Sequence, residues 1–289
     1  MSEAAFYQIE LDGGRRLAWS EYGDPDGRPM VALHGSPSSR LEWSWADEVG
    51  RARHLRVIAP DRPGHGRSDP LPGFTLLGRS DDVAALADHL GIDSFGVIGH
   101  SGGGPYALAC AVTMPQRTEV VIAGSCAGRM EVPGAYAGMS LTDRQLTWLA
   151  MRTPRAGRLA FGGIGLMGRT VPNLPWRLWN DELKEADRAI LAALGQPRDA
   201  MRAFVEAFRP GGRGVIRDYQ VLTQPWGFDP ADVPGQVWLW HGDADTTVPL
   251  HQSEDLARHI PLARYRLVPG AGHLFVHTHF ERILAAAGW

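Results

Sequence analysis

Cysteine is almost missing from this 289-residue chain, which excludes a disulfide-framed secreted scaffold. Cys110 and Cys126 fall in stretches that read as buried helix and strand, so they are expected to be reduced core residues of a cytoplasmic protein. Charge of one sign is lacking too. A net charge of -3 leaves no electrostatic footprint for nucleic acid. Lys184 is the only lysine among 29 basic residues, an arginine bias associated with GC-rich bacterial genomes. No apolar run approaches the roughly 18 residues of a membrane span, and Met1 to Glu10 carries no basic segment followed by an apolar stretch. Neither a span nor a secretory leader is expected. Repeats, low-complexity tracts, paired-cysteine metal patterns and a His-Glu-x-x-His signature are also missing. His273 and His277 have the spacing of one helical face, but no third ligand accompanies them, so neither metal nor cofactor is expected.

What is present is a large apolar fraction, 44% of the residues, enough for one sizeable core. Alternation over Ala5–Leu11 and Arg16–Tyr22, around Asp12-Gly13-Gly14, predicts an opening hairpin. Short apolar runs recur at Met30–Leu33, Leu55–Ala59, Ser94–Ile98, Glu119–Ala123, Val237–Trp240 and Tyr265–Val268. Helical periodicity fills the intervals at Leu41–Arg51, Leu76–Leu90, Pro105–Met114, Ser253–His259 and about His279–Ala287. The alternation predicts an α/β protein with a mostly parallel, doubly wound sheet of about eight strands.

The chemistry concentrates at Gly99-His100-Ser101-Gly102-Gly103, directly after an apolar run. A serine on a sharp strand-to-helix turn is lifted clear of the sheet in a strained conformation, and glycines at both second neighbours remove the collisions that turn creates. The following helix, with Pro105 in its first turn, aims its N-terminal amides back at Ser101. A serine hydroxyl needs a base, and the base needs a carboxylate to fix its tautomer. His273, in Pro269-Gly270-Ala271-Gly272-His273, is the candidate base, and Asp245 in His241-Gly242-Asp243-Ala244-Asp245-Thr246-Thr247-Val248-Pro249 the candidate acid. Both sit just past predicted strand ends, where chemistry gathers in such sheets. Asp243, read as a turn cap, and Glu131, after another strand, are the competing acids. An oxyanion hole needs two backbone donors: the Gly102 amide, and the Ser36 amide in the turn His34-Gly35-Ser36-Pro37. His34, His65, His100 and His241 fall in site-facing turns and read as loop braces, with His34 and His100 kept as candidate substrate contacts.

These motifs, with Asp61-Arg62-Pro63-Gly64-His65-Gly66-Arg67-Ser68, make the chain resemble the α/β-hydrolase fold superfamily over nearly its whole length, residues 128 to about 224 matching least. The resemblance implies an α/β core over 1–127 and 225–289 and a helical cap over 128–224. The cap's periodic segments are Leu141–Arg152, Ala156–Met167, Asp181–Leu194 and Arg198–Phe208. Ser101 departs from the aspartate nucleophile of similar epoxide hydrolases and haloalkane dehalogenases. Gly102 departs from the tryptophan of proline iminopeptidases, and Glu182, Glu185 and Glu206 read as solvated helix positions. The expected function is an esterase-like serine hydrolase working through an acyl-enzyme. Alternatives are a carbon-carbon bond hydrolase or lactonase, an iminopeptidase-like aminopeptidase, or a ligand-binding receptor on a hydrolase scaffold. The expected partner is a small, largely apolar substrate, with no nucleic acid or membrane, and the chain a monomer or homodimer. Trp148, Trp176, Trp179 and Phe204 are candidate pocket residues among the aromatics and methionines of 128–224, most of which read individually as packing.

Overall fold

The computed structural model describes residues 5–171, 183–193 and 201–289. Eight strands form one sheet: β1 (Tyr7–Leu11), β2 (Arg15–Gly23), β3 (Arg28–Leu33), β4 (Leu55–Pro60), β5 (Phe95–His100), β6 (Thr118–Gly124), β7 (Val237–Gly242) and β8 (Ala263–Val268). They lie in the order β1-β2-β4-β3-β5-β6-β7-β8. β1 with β2 and β2 with β4 pair antiparallel, and every later pair is parallel. The opening hairpin turns through Gly13 and Gly14, both in the left-handed region.

The central strands are apolar without alternation because both faces are covered. On one side Val31, Leu33, Val97, Val121 and Leu239 share a core, while their neighbours Met30, Ala32, Ile98, Ile122 and Trp240 share another on the opposite side. The covering helices are α1 (Asp47–Ala52), α2 (Gly78–His89), α3 (Gly104–Thr113), α9 (Leu250–His259) and α10 (Val276–Ala286), while α4 (Leu141–Arg152), α5 (Pro154–Thr170), α6 (Glu185–Ala193), α7 (Arg202–Ala207) and α8 (Arg213–Thr223) lie between β6 and β7 in the chain, with a core of their own around Phe161, Phe208 and Val215. Among the described residues, no helix is long and apolar enough to cross a membrane.

Two local expectations are corrected. The stretch 41–51 is not one α-helix: Arg40–Ala46 is a 3-10 helix and only Asp47–Ala52 is α-helical. Its buried residues, Arg40, Trp43 and Ala46, recur every three positions, the period at which 3-10 side chains eclipse. Helix α8 leaves no clear periodicity in the sequence because Gly211, Gly212 and Gly214 interrupt the pattern and a charged Asp218 stands in its buried face. Gly214 is required there. A Cβ on it would collide with the Gly64 backbone, so α8 lies directly on the Asp61–Ser68 loop. That loop turns back on Asp61, whose carboxylate accepts from the backbone amides of Arg40 (2.7 Å) and Arg67 (2.9 Å).

Candidate active site

Ser101 follows β5 immediately and has φ 54°, a left-handed conformation that L residues other than glycine avoid. The turn is crowded enough that a Cβ on Gly99 would collide with the Gly103 carbonyl, and one on Gly103 with the Leu33 carbonyl. Glycine at both positions is what lets β5, Ser101 and α3 meet. Gly102 lies in the single helical turn Ser101–Gly103, so its amide is among those without an intrahelical acceptor.

The loop after β3 abuts this turn. A Cβ added to Gly102 would lie 2.6 Å from Ser36 Oγ, and one added to Gly35 would lie 3.3 Å from the Ser101 Cβ. The loop is held from behind by a buried network: the Arg62 guanidinium donates to the His34 carbonyl, to Ser36 Oγ (2.7 Å) and to Asp218 Oδ2 (2.9 Å). Asp218 also accepts from Ser36 Oγ and from Tyr106 Oη (2.7 Å). Burial works against the Asp218 carboxylate, but Arg62 and these hydrogen bonds outweigh it and hold its pKa below the ordinary value. None of Arg62, Asp218 and Tyr106 was marked as functional in the sequence. The Asp-Arg-Pro-Gly motif was the available signal for Arg62.

On the other side, Asp245 Oδ2 accepts from His273 Nδ1 at 2.9 Å, while Oδ1 accepts from the amides of Thr247 (2.8 Å) and Val248 (3.0 Å). The carboxylate is fixed by its own loop, and its side chain is fully buried. Burial disfavours charge on both partners, yet their attraction prevails. Asp245 is pulled down to about 2 and the His273 pKa is raised above the ordinary imidazole value. A carboxylate can only accept here, so Nδ1 carries the proton and Nε2 is left basic. Asp243, by contrast, is exposed and accepts from the Gly270 amide (2.7 Å) in the neighbouring loop, and Glu131 is exposed. Neither approaches His273.

Behind the serine, His100 Nε2 donates to the His273 carbonyl (3.1 Å) and Nδ1 lies 2.9 Å from Glu42 Oε1, while Glu42 Oε2 accepts from the Gly35 amide (2.9 Å). The ring thereby ties the β5 turn to both neighbouring loops. Glu42 carries no sequence signal, since its role depends on a 3-10 turn whose pattern resembles an α-helix.

A cavity of about 930 Å³ opens over these groups, with Ser101, His100, Ser36 and His273 on its floor and Leu146, Phe161, Met167, Phe204 and Phe208 above. Phe204 therefore lines the cavity, as does His100. His34 does not: it is buried, its Nδ1 facing the Gly35 carbonyl and its Nε2 accepting from the Arg62 amide, so it braces a loop. Trp148 also needs correction. It is 59% exposed on the outer side of α4, because 100° per residue sets it opposite the inward stripe of Asp143, Leu146, Thr147 and Ala150. Trp176, Trp179 and Glu182 lie outside the described residues. Glu185 is exposed, but Glu206 is not the solvated position expected: its carboxylate accepts from the buried Arg40 guanidinium at 2.8 Å, with Arg67 at 3.7 Å.

The chain is 29% identical to a proline iminopeptidase of Xylella fastidiosa (strain 9a5c) over 91% of this chain and 88% of that protein. It is 30% identical to the magnesium-chelatase 30 kDa subunit of Rhodobacter capsulatus, over 87% and 82% respectively. Among solved structures, a thermophilic esterase from Thermogutta terrifontis superposes with a TM-score of 0.66 at 25% identity, covering 98% of this chain and 96% of that one. A hydrolase from Pseudomonas aeruginosa PA01, at 19% identity, shares the fold with a TM-score of 0.72 over 99% and 98%. The model of the alpha/beta hydrolase family matches residues 30–286, spanning the sheet from β3 onward and every loop described above, and the chain belongs to that family.

Proposed function

We propose that this protein is a serine hydrolase that cleaves carboxylic esters of small, largely apolar acyl groups through a Ser101-His273-Asp245 triad. The observation that carries the reading is the buried His273–Asp245 pair facing the same cavity as a serine held at positive φ. Ser101 Oγ attacks the carbonyl carbon as His273 Nε2 takes its proton. The amides of Gly102 and Ser36 receive the oxyanion. Collapse expels the alcohol, which takes the proton from His273. Water, deprotonated by the same imidazole, then opens the acyl-serine and releases the acid. Residues 128–224 act as a cap over a core of 1–127 and 225–289, and the apolar side chains of α4, α5 and α7 select the acyl group.

Aminopeptidase action would need carboxylates free to receive an ammonium group. Of the acids that line the cavity, Glu42 is engaged by His100 and the Gly35 amide, and Asp143 accepts from the Ser140 hydroxyl at 2.8 Å, while Glu206 is taken up by Arg40. This supports ester over amino-terminal peptide cleavage, although a proline iminopeptidase is among the relatives. The test is a panel of chromogenic esters of graded acyl length run beside prolyl arylamides, lactones and a diketone. Ester turnover should exceed arylamide turnover by at least roughly a hundredfold, and preferred cleavage of the prolyl arylamide would overturn the reading.

A further inference from the structure

Asp187 is a buried carboxylate that neither the triad nor the oxyanion donors use, and it comes from the inserted helix α6. Its Oδ2 accepts from the backbone amide of His273 at 2.9 Å, and its Oδ1 accepts from that of Leu274 at 2.8 Å. Consecutive amides of the histidine loop are thus both satisfied by one side chain from another part of the fold. Two independent features show that the loop is built around this carboxylate. A Cβ at Gly272 would collide with it, so the glycine before His273 answers to Asp187. The Leu274 side chain packs with Leu191 on α6 and with Leu183 just before that helix, on either side of Asp187 in sequence, in a separate small apolar cluster.

We propose that Asp187 is a positioning residue for the catalytic base: seated by the leucine cluster, it fixes the backbone of His273, and its charge favours the imidazolium formed during turnover. The inference rests on the triad reading above. The ring is also faced by Asp245 from the loop after β7, by His241 at the end of β7, by His100 from β5 (ring centroids 4.8 Å apart), by Asp143 from α4 and by His277 on α10. Asp245 fixes the ring and Asp187 the main chain. The two acids act on different degrees of freedom of one residue. The remaining freedom of the loop is limited further by Ser125 Oγ and His100 Nε2, both donating to the His273 carbonyl.

Asp187→Asn keeps the shape but replaces one acceptor by a donor facing an amide, and removes the charge. With a short aryl ester, kcat should fall about tenfold or more while KM stays within about threefold, since the cavity lining is untouched. The acid limb of kcat/KM should move to lower pH, because the imidazolium has lost a nearby carboxylate. Asp187→Glu should restore the position of that limb at least in part. A role confined to stability would lower Tm without moving the limb. Should Asp187→Asn unfold, Asp187→Glu is read alone by amide hydrogen exchange at His273 and Leu274. Its longer side chain should accelerate exchange at least about tenfold there, and unaltered exchange would overturn the proposal. Ser101→Ala and Asp245→Asn separate the two levels. If both retain wild-type turnover, the triad reading fails. If both are inactive while folded Asp187→Asn keeps kcat and the pH limb of the wild type, only the role of Asp187 fails.

Discussion

Asp218→Asn probes how α8 holds the loop after β3, and its cost can be worked from the geometry. The wild-type carboxylate is wholly buried and paired with Arg62 at 2.9 Å, itself 1% exposed, while also accepting from Ser36 and Tyr106. An amide retains the shape but strands a buried guanidinium, a change that typically costs about 3–5 kcal/mol. Arg62 keeps the His34 and Gly35 carbonyls as acceptors, so the lower end, about 3 kcal/mol, applies. For a chain of 289 residues that is a drop of about 5 °C in Tm. Urea and thermal unfolding at pH 7 measure it. The pH dependence has a definite sign. A carboxylate whose pKa is lower in the folded than in the unfolded chain contributes stability above its unfolded value and loses it as pH falls through the folded one. The gap between wild type and Asp218→Asn should therefore narrow on acidification below about pH 4. A double-mutant cycle with Arg62→Met should show the double variant less destabilised than the sum of the singles by at least about 1.5 kcal/mol. A single-variant cost below about 1 kcal/mol, or strict additivity, would refute the reasoning. Because Arg62 also holds Ser36 and the carbonyls beside it, kcat should fall in parallel.

Three further outcomes are expected. Asp245→Asn should fold normally yet lose about 10⁴ in kcat, as the amide no longer imposes the productive tautomer, whereas Asp243→Asn should stay within about threefold in steady-state assays. kcat/KM should rise with pH through the free-enzyme pKa of His273, which lies above the ordinary imidazole value of about 6.5 because Asp245 overcomes the cost of burial; a profile flat from about pH 5 to 9 would contradict this. Each methylene added to the acyl group should gain up to about 0.8 kcal/mol until the cavity fills. Phe204→Ala should then shift the preferred length while exposed Trp148→Ala does not, as read from kcat/KM across an ester series.

The sheet was legible because its strands carry the two signals that survive without tertiary context, short apolar runs and the punctuation between them. The candidate site was legible where chemistry demands a local backbone, as at Gly99 to Gly103, where Gly99 answers to a collision within the turn itself and Gly103 to the carbonyl of the adjacent strand. Trp148 failed for a different reason. Periodicity marks the stripe of α4 but not the partner it faces, and a tryptophan outside that stripe looks the same on paper as one inside it. Asp187, Asp218 and Glu42 were invisible because their partners lie 86, 156 and 58 residues away at His273, Arg62 and His100. An isolated acid in a helix reads as solvated, as Glu206 did, until the fold brings a buried guanidinium to it.

The central claim is that Ser101 forms the acyl-enzyme, and it is tested most directly by intact-protein and peptide mass spectrometry after quenching the enzyme with an aryl ester in the first turnover. The account predicts a single acyl adduct on the peptide carrying Ser101, formed with a stoichiometric burst of phenolate and absent from Ser101→Ala. An adduct on another residue, or undiminished hydrolysis by Ser101→Ala, would contradict it.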